Sequence, residues 1–316
     1  AIEALGSLHA LRGESGLALR TFTMCARLEP TRLTCRLSAS SVQIEASDDA
    51  GPIRLLAGPA IRGVDLSTET GREAVLELAM AAGSVAAWSI QEKAMSFVDR
   101  ALDLALVDLG ARMPSKLASA MIFLPIDVSK LLLLARSLAS ASNIYPAPAM
   151  PWRRGPAGTL RLAYLTGDIG QTVLMSFFGP ALILHSCNGL IKVTIFSIGG
   201  SRHASSSWRR QLEEKVGLVE LGKVDDDAGA LAINENAVNV LVFLDGHNPG
   251  SRLGLMARKP APVQVAYRVC STLGASFIPW FVNDALAAPP EIVSTFFTES
   301  MIFLPPAYLP AGIAAT

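Results

Sequence analysis

Charge is scarce in this 316-residue chain: 27 Lys and Arg face 27 Asp and Glu, 17% of the residues in all, with a formal net charge of zero. No basic field is available for nucleic acid or anionic lipid, so those two partner classes are set aside. Histidine and cysteine are equally sparse, at four each. Cys25, Cys35, Cys187 and Cys270 form no CxxC pair or other zinc spacing, and His9, His185, His203 and His247 form no HExxH. No metal site is expected. Scattered single cysteines fit a reducing compartment and buried thiols. A basic segment followed by an apolar one is missing at the N-terminus, so no signal peptide is read there. One stretch, Ile169–Ile191, lacks formal charge over a bilayer-spanning length. Gly170, Gln171, Gly179, Pro180, Asn188 and Gly189 interrupt it, and a buried loop, helix and turn is the better reading. These features place the chain in the cytoplasm or nucleus as an expectation.

What is present is apolar: 51% of residues are hydrophobic, enough for a sizeable core and against disorder. The length suggests two domains. In the first thirty residues, Ile2, Leu5, Gly6 and His9 are followed by Ala18 and Phe22, with Pro30 at the close. This order fits a tetratricopeptide repeat at 1–31, in which small residues let two antiparallel helices approach. One repeat does not bury its own face, so this one reads as the last of an array. Leu33–Ile44 is a short helix or strand, and Ser47–Pro52 reads as a turn. Apolar spacing at threes and fours predicts helices over Glu73–Ala82, Ser89–Leu109, Lys116–Ile122 and Val128–Ser142. Four prolines between Pro146 and Pro156 mark a linker, and the expected domains are 1–150 and 151–316.

After Thr159 the periodicity changes. Strands are predicted at Leu160–Leu165, Val193–Ile198, Leu218–Leu221, Val238–Leu244, Val263–Tyr267, Ile278–Val282 and Met301–Leu304. Between them lie helices at Val173–Cys187 (broken at Gly179-Pro180), Ser205–Val216, Asp225–Ala237 and Arg252–Lys259. Alternation of this kind predicts an α/β lobe with a parallel sheet, covered on both faces because the strands are apolar throughout. Ligands in such a sheet bind beyond the carboxyl ends of the strands. Four loops qualify: Thr166–Thr172, Gly199–Ser201, Asp245–Gly250 and Arg268–Gly274. Gly167-Asp-Ile-Gly170 has the wrong spacing for a GxGxxG dinucleotide loop.

A family resemblance appears in these segments. Leu160-Arg-Leu-Ala-Tyr-Leu-Thr-Gly-Asp168-Ile-Gly170 resembles LRIGYVSxDFGNHP, the opening of the catalytic region of O-linked N-acetylglucosamine transferases and Spindly-type enzymes. Val240–Gly246 resembles their ILVDLNGYT, and Ser251-Arg252 with Arg258-Lys-Pro-Ala-Pro-Val-Gln264 resembles GAR…LRPAPIQV. Leu273–Asp284 is similar to SGASFMDYIITD, and Met301–Pro306 to KLAYMPHTFF. The resemblance implies the first Rossmann-like lobe of a GT-B glycosyltransferase, preceded by helical repeats that guide protein substrates. The reaction it implies moves N-acetylglucosamine from UDP, or fucose from GDP, onto a protein Ser or Thr. It implies no metal and no cofactor beyond the nucleotide-sugar donor, which the family holds mainly with a second lobe not expected in this chain.

Departures from the pattern fall on the chemistry. Thr172 stands where the family carries the His of GNHP, and an unactivated hydroxyl does not replace an imidazole as a base. A second family His falls at Gly217, and a third, preceded by Pro, falls at Pro306. The stretch WLGYPGTSG is reduced to Tyr267–Gly274, in which Gly274 clearly survives. No catalytic residue of the family is therefore matched. His247, in the Asp-Gly-His-Asn turn, is a weak substitute base; an exposed turn residue is the plainer reading. Acceptor-cleft candidates are Asp168, Gly170, Thr172, Asp245, Gly246, Arg252, Gln264 and Gly274. Asp168 and Asp245 could work as an acid/base pair, with loop capping the simpler role. Arg252 either positions its helix or meets an acceptor. His203 and Trp208 read as surface and packing residues. Three functions stay open: a divergent or partial protein O-glycosyltransferase, an inactive pseudo-glycosyltransferase that serves as a protein-binding scaffold, and an unrelated sugar- or nucleotide-binding Rossmann protein.

Overall fold

The computed structural model describes residues 2–30, 32–45, 48, 50–57, 64–107, 124–142, 151–170, 173–187, 189–199, 207–248, 250–267 and 271–305. The chain divides into two compact units, Ala1–Asp127 and Val128–Thr316. The expected boundary at 150 falls at the edge of residues 143–150, which lie outside the described residues.

Six helices make up the described part of the first unit: α1 (Ile2–Leu11), α2 (Ser15–Leu28), α3 (Leu33–Glu45), α4 (Gly51–Leu56), α5 (Glu69–Ser84) and α6 (Trp88–Val107). α1 and α2 pack against each other, with Ala18 and Phe22 of α2 buried. The ambiguous 33–44 segment is helical. Part of the predicted turn at 47–52 is instead the start of α4, with Pro52 in its first turn, where a missing N–H costs nothing. α5 opens on Thr68, whose hydroxyl accepts the Gly71 N–H at 3.1 Å. Two charged side chains are buried in α5. Arg72 donates to the carbonyls of Leu66 and Ser67, and Glu77 accepts the Ser40 hydroxyl from α3. Buried charge is tolerated because it is hydrogen-bonded. The cysteine reading needs correction. Cys25 and Cys35 are buried but not free: they form a disulfide between α2 and α3, with Cα atoms 5.8 Å apart. Spacing alone does not reveal this pair, because the turn between the helices brings the two positions together. Cys187 is free and exposed.

The second unit opens with α7 (Val128–Ser142), where the sequence places a helix. It continues as β1 (Leu160–Thr166), α8 (Val173–Ser186), β2 (Ile191–Ser197), α9 (Ser207–Lys215), β3 (Gly217–Glu220), α10 (Asp226–Glu235), β4 (Val240–Phe243), α11 (Leu253–Ala257), β5 (Val263–Tyr267), β6 (Trp280–Asn283), α12 (Pro290–Phe296) and β7 (Ser300–Phe303). All seven predicted strands form: Val263–Tyr267 falls where expected to the residue, and the other six are shifted by one or two residues at one or both ends. α8 runs on through Pro180 instead of breaking there. The expected Lys116–Ile122 helix lies outside the described residues. α12 carries no signal beyond Pro290 at its first position.

The strands form one fully parallel sheet in the order β3-β2-β1-β4-β5-β6-β7. Parallel neighbours need crossovers, and α8, α9, α10 and α11 lie along them. Alternate side chains of β1 enter different cores. Ala163 and Leu165 pack with residues of α10, α11 and α7, while Tyr164 packs with Met175, Phe178 and Leu182 of α8. Both faces are covered, which explains why these strands read as continuous apolar runs. The strand order reverses between β1 and β4, so the crevice at their carboxyl ends is the place for a ligand. No helix among the described residues is long and apolar enough to cross a membrane.

Candidate functional site

The site is assembled where β1 and β4 end side by side. Val242 of β4 pairs with Tyr164 of β1, so their following loops leave the sheet together. Asp245, 8% exposed, ties these loops. One carboxylate oxygen accepts the Thr166 hydroxyl at 2.8 Å and the other accepts the Gly167 N–H at 2.6 Å. The Thr166 hydroxyl in turn accepts the Asp168 N–H at 3.0 Å. Asp245 is thus a loop cap with both oxygens engaged. The β2 loop presses against the same place: a Cβ on Gly199 would stand 2.0 Å from the Gly167 carbonyl oxygen, so only glycine permits this approach. Gly170 and Gly246 are buried beside these loops, and Asp168 is partly buried.

His247 follows in the β4 loop. It retains some exposure as a residue, yet its Nε2 is fully shielded and makes no hydrogen bond among the described residues. Removal from water lowers its pKa from 6.5 to about 4; the backbone of Thr272 and Leu273 beside the ring acts in the opposite, weaker sense. The imidazole is neutral at pH 7. The expectation of an exposed turn residue therefore does not hold: the ring turns inward under the β5 loop.

That β5 loop is held from a distance. Glu299, just before β7, is 4% exposed. Its two oxygens accept the Leu273 N–H at 2.7 Å and the Thr272 hydroxyl at 2.8 Å. The Thr272 hydroxyl also accepts the N–H groups of Gly274 and Thr298, both at 3.2 Å. Gly274 has φ +65°, and a Cβ there would lie 2.4 Å from the Arg136 nitrogen of α7. Sequence reasoning missed Glu299 and Thr272. The available signal was a lone acid directly before an apolar strand.

Other candidates lie apart from this cluster. Arg252 bonds Asp226 at 2.7 Å and the Leu221 carbonyl at 2.8 Å, positioning α11 against the start of α10. Gln264 is buried and donates to the carbonyls of Met256 and Phe277. Trp208 packs on the α8 side of the sheet. Gly217 begins β3 opposite Thr194. Thr172, His203 and Pro306 lie outside the described residues. No group of three or more His, Cys, Asp or Glu that could hold a metal ion occurs among the described residues. Among the described residues, the carboxyl ends of β1, β4 and β5 bring together loop backbone, the neutral imidazole of His247 with its Nε2 shielded, and carboxylates committed to shaping loops.

Comparison with known proteins bears on what such a crevice serves. The profile of glycosyl transferase family 41 matches residues 147–312. A probable UDP-N-acetylglucosamine–peptide N-acetylglucosaminyltransferase, SEC, of Arabidopsis thaliana is 27% identical over 197 residues, 58% of this chain and 20% of that protein. A probable enzyme of the same description, SPINDLY, of Solanum lycopersicum is 30% identical over 157 residues, 49% of this chain and 17% of that protein. A UDP-N-acetylglucosamine–peptide N-acetylglucosaminyltransferase of Caenorhabditis elegans is 26% identical over 46% of this chain and 13% of its own length. Among solved structures, an O-GlcNAc transferase mutant (K341M) of Thermobaculum terrenum superposes with a TM-score of 0.74 at 21% identity, over 98% of this chain and 58% of that one. The chain spans a fifth or less of the length of these curated relatives.

Proposed function

The chain belongs to glycosyl transferase family 41, and from that premise we propose that its second unit is the acceptor-side lobe of a protein O-glycosyltransferase. The donor is a nucleotide sugar, UDP-N-acetylglucosamine or GDP-fucose, held mainly by a second lobe. In the reaction, a Ser or Thr hydroxyl oxygen bonds to the anomeric carbon of the sugar. The bond from that carbon to the nucleotide diphosphate breaks, and the diphosphate leaves with the electron pair. The hydroxyl proton passes to a base. The helical region carries a tetratricopeptide-like repeat and presents protein substrates to the lobe. The observation that carries this reading is the switch point between β1 and β4, whose two loops Asp245 ties together in the segment matched by the family profile.

A second reading has its own observation. The carboxylate at the crevice with both oxygens engaged, Asp245, is a structural tie, and Thr172 stands at the family's His position. Both fit a scaffold that retained the lobe and lost catalysis. Transfer of radiolabelled N-acetylglucosamine from UDP to Ser/Thr peptides tests the first reading. The 316-residue chain alone is expected to transfer little, because the donor lobe is needed. Robust transfer by this chain refutes the division of labour proposed here. Thr172→His in a protein carrying both lobes separates the readings: a gain in transfer supports a weakened enzyme, and no gain supports the scaffold.

A further inference from the structure

Glu299 is a buried carboxylate that gives both of its oxygens to one loop. Burying a carboxylate costs several kcal/mol unless its oxygens are well bonded, and an apolar side chain often serves stability equally well. Here the charge is buried at 4% exposure, and its two oxygens are directed at adjacent residues of one loop, Thr272 and Leu273, 27 and 26 positions earlier in the chain. Thr272 spreads that anchor, since its hydroxyl collects the N–H groups of Gly274 and Thr298. Gly274 lies directly on the α7 backbone. The anchored backbone of Thr272 and Leu273 stands beside the His247 ring. His247 belongs to the β4 loop, where Asp245 grips Thr166 and Gly167 of the β1 loop. One continuous set of contacts therefore runs from Glu299 across the carboxyl ends of β5, β4 and β1, ending at the switch point.

We infer that Glu299 is the positioning residue for the loop after β5, and through it for His247, on the side of the crevice that receives the acceptor hydroxyl. The acceptor part of this inference rests on the function proposed above. Glu299 touches no reacting atom in this scheme. It acts by fixing where Thr272, Leu273 and the imidazole stand.

The test uses the full chain with Glu299→Gln and Glu299→Ala. Gln keeps one accepting oxygen for the Leu273 N–H, so it is the conservative rescue, and Ala removes both contacts. Three readouts are taken: amide hydrogen exchange, the NMR titration of the His247 ring, and fluorescence anisotropy of a labelled Ser/Thr peptide pool. Loss of charged hydrogen bonds in E299A is expected to lower exchange protection at Leu273 and Gly274 about tenfold and to weaken peptide capture about tenfold. The His247 midpoint is expected to move from about 4 toward the ordinary 6.5, with E299Q intermediate on each measure. Unchanged protection and midpoint in E299A overturn the inference. Protection lost throughout the sheet also overturns it, because Glu299 then serves the fold at large. Equal capture by wild type and both variants overturns the acceptor role alone. A wild-type chain that captures no peptide overturns the proposed function and that acceptor role together, while exchange and titration still judge the loop.

Discussion

Acidification should destabilise this protein through His247 by a calculable amount. The folded-state pKa is lowered from 6.5 to about 4, chiefly because the ring is taken out of water. The unfolded chain therefore binds a proton more readily than the folded one. The associated stability is fully present above pH 6.5 and is lost as pH falls toward 4. Integrating the proton-binding difference gives a loss of about 2.5 kcal/mol between about pH 8 and about pH 4.5. Carboxylates also titrate in the lower part of this window, so the measurement is a double difference. Urea unfolding free energies of wild type and His247→Gln are compared at the two pH values. Gln does not titrate, so the wild type should lose about 2.5 kcal/mol more than the variant on acidification. A difference indistinguishable from zero would refute the claim that the imidazole is buried neutral under the β5 loop. A difference of opposite sign would mean that the folded site prefers the imidazolium, with a carboxylate facing it.

Gly274→Ala combines a left-handed backbone, φ +65°, with a Cβ placed 2.4 Å from the Arg136 nitrogen. Backbone does not yield as a flexible side chain does, so the cost should be about 3 kcal/mol in chemical denaturation; a loss too small to detect would show that α7 and the loop part without penalty. Reduction of the Cys25–Cys35 disulfide, which closes a loop of sequence separation 10, should cost about 2.5 kcal/mol of stability. Alkylation and mass spectrometry before and after reduction check it: two thiols, Cys25 and Cys35, should become reactive only after reduction, and labelling of either in the unreduced chain would contradict the bond.

The sheet was legible in the sequence because each strand is a short apolar run bounded by Gly, Asp or Pro, and because strands alternate with helical stretches. Val263–Tyr267 was located to the residue, helped by the Pro260-Ala-Pro262 turn before it. Strand order was not legible, since the pairing of β1 with both β2 and β4 is a tertiary choice that local pattern does not encode. α12 escaped notice because Ile292, Val293, Phe296 and Phe297 make as good a strand as a helix by composition. The Cys25–Cys35 bond escaped for the same kind of reason: it depends on how two helices pack, and the sparse cysteine pattern suggested free thiols.

The site was legible in outline and misleading in detail, and the reason is physical. Sequence reasoning ranks residues by the chemistry they can perform, so it selected Asp245, Arg252 and Gln264. In the folded chain all three spend hydrogen bonds on the protein itself. A polar group that holds a loop is identical in sequence to one that holds a substrate; only burial and partners separate them. Glu299 shows the converse. It drew no notice as a single acid before an apolar strand, and it is a buried carboxylate that shapes the β5 loop. The segment that the family profile matches contains the sheet and both of its loop ties. On the resemblance read from the sequence, Thr172, Gly217 and Pro306 stand where histidines are expected, and the scaffold proposal turns on those three positions. Under that proposal the loop ties made by Asp245 and Glu299 remain while the expected imidazoles are replaced, so retained binding is the property to measure before retained transfer.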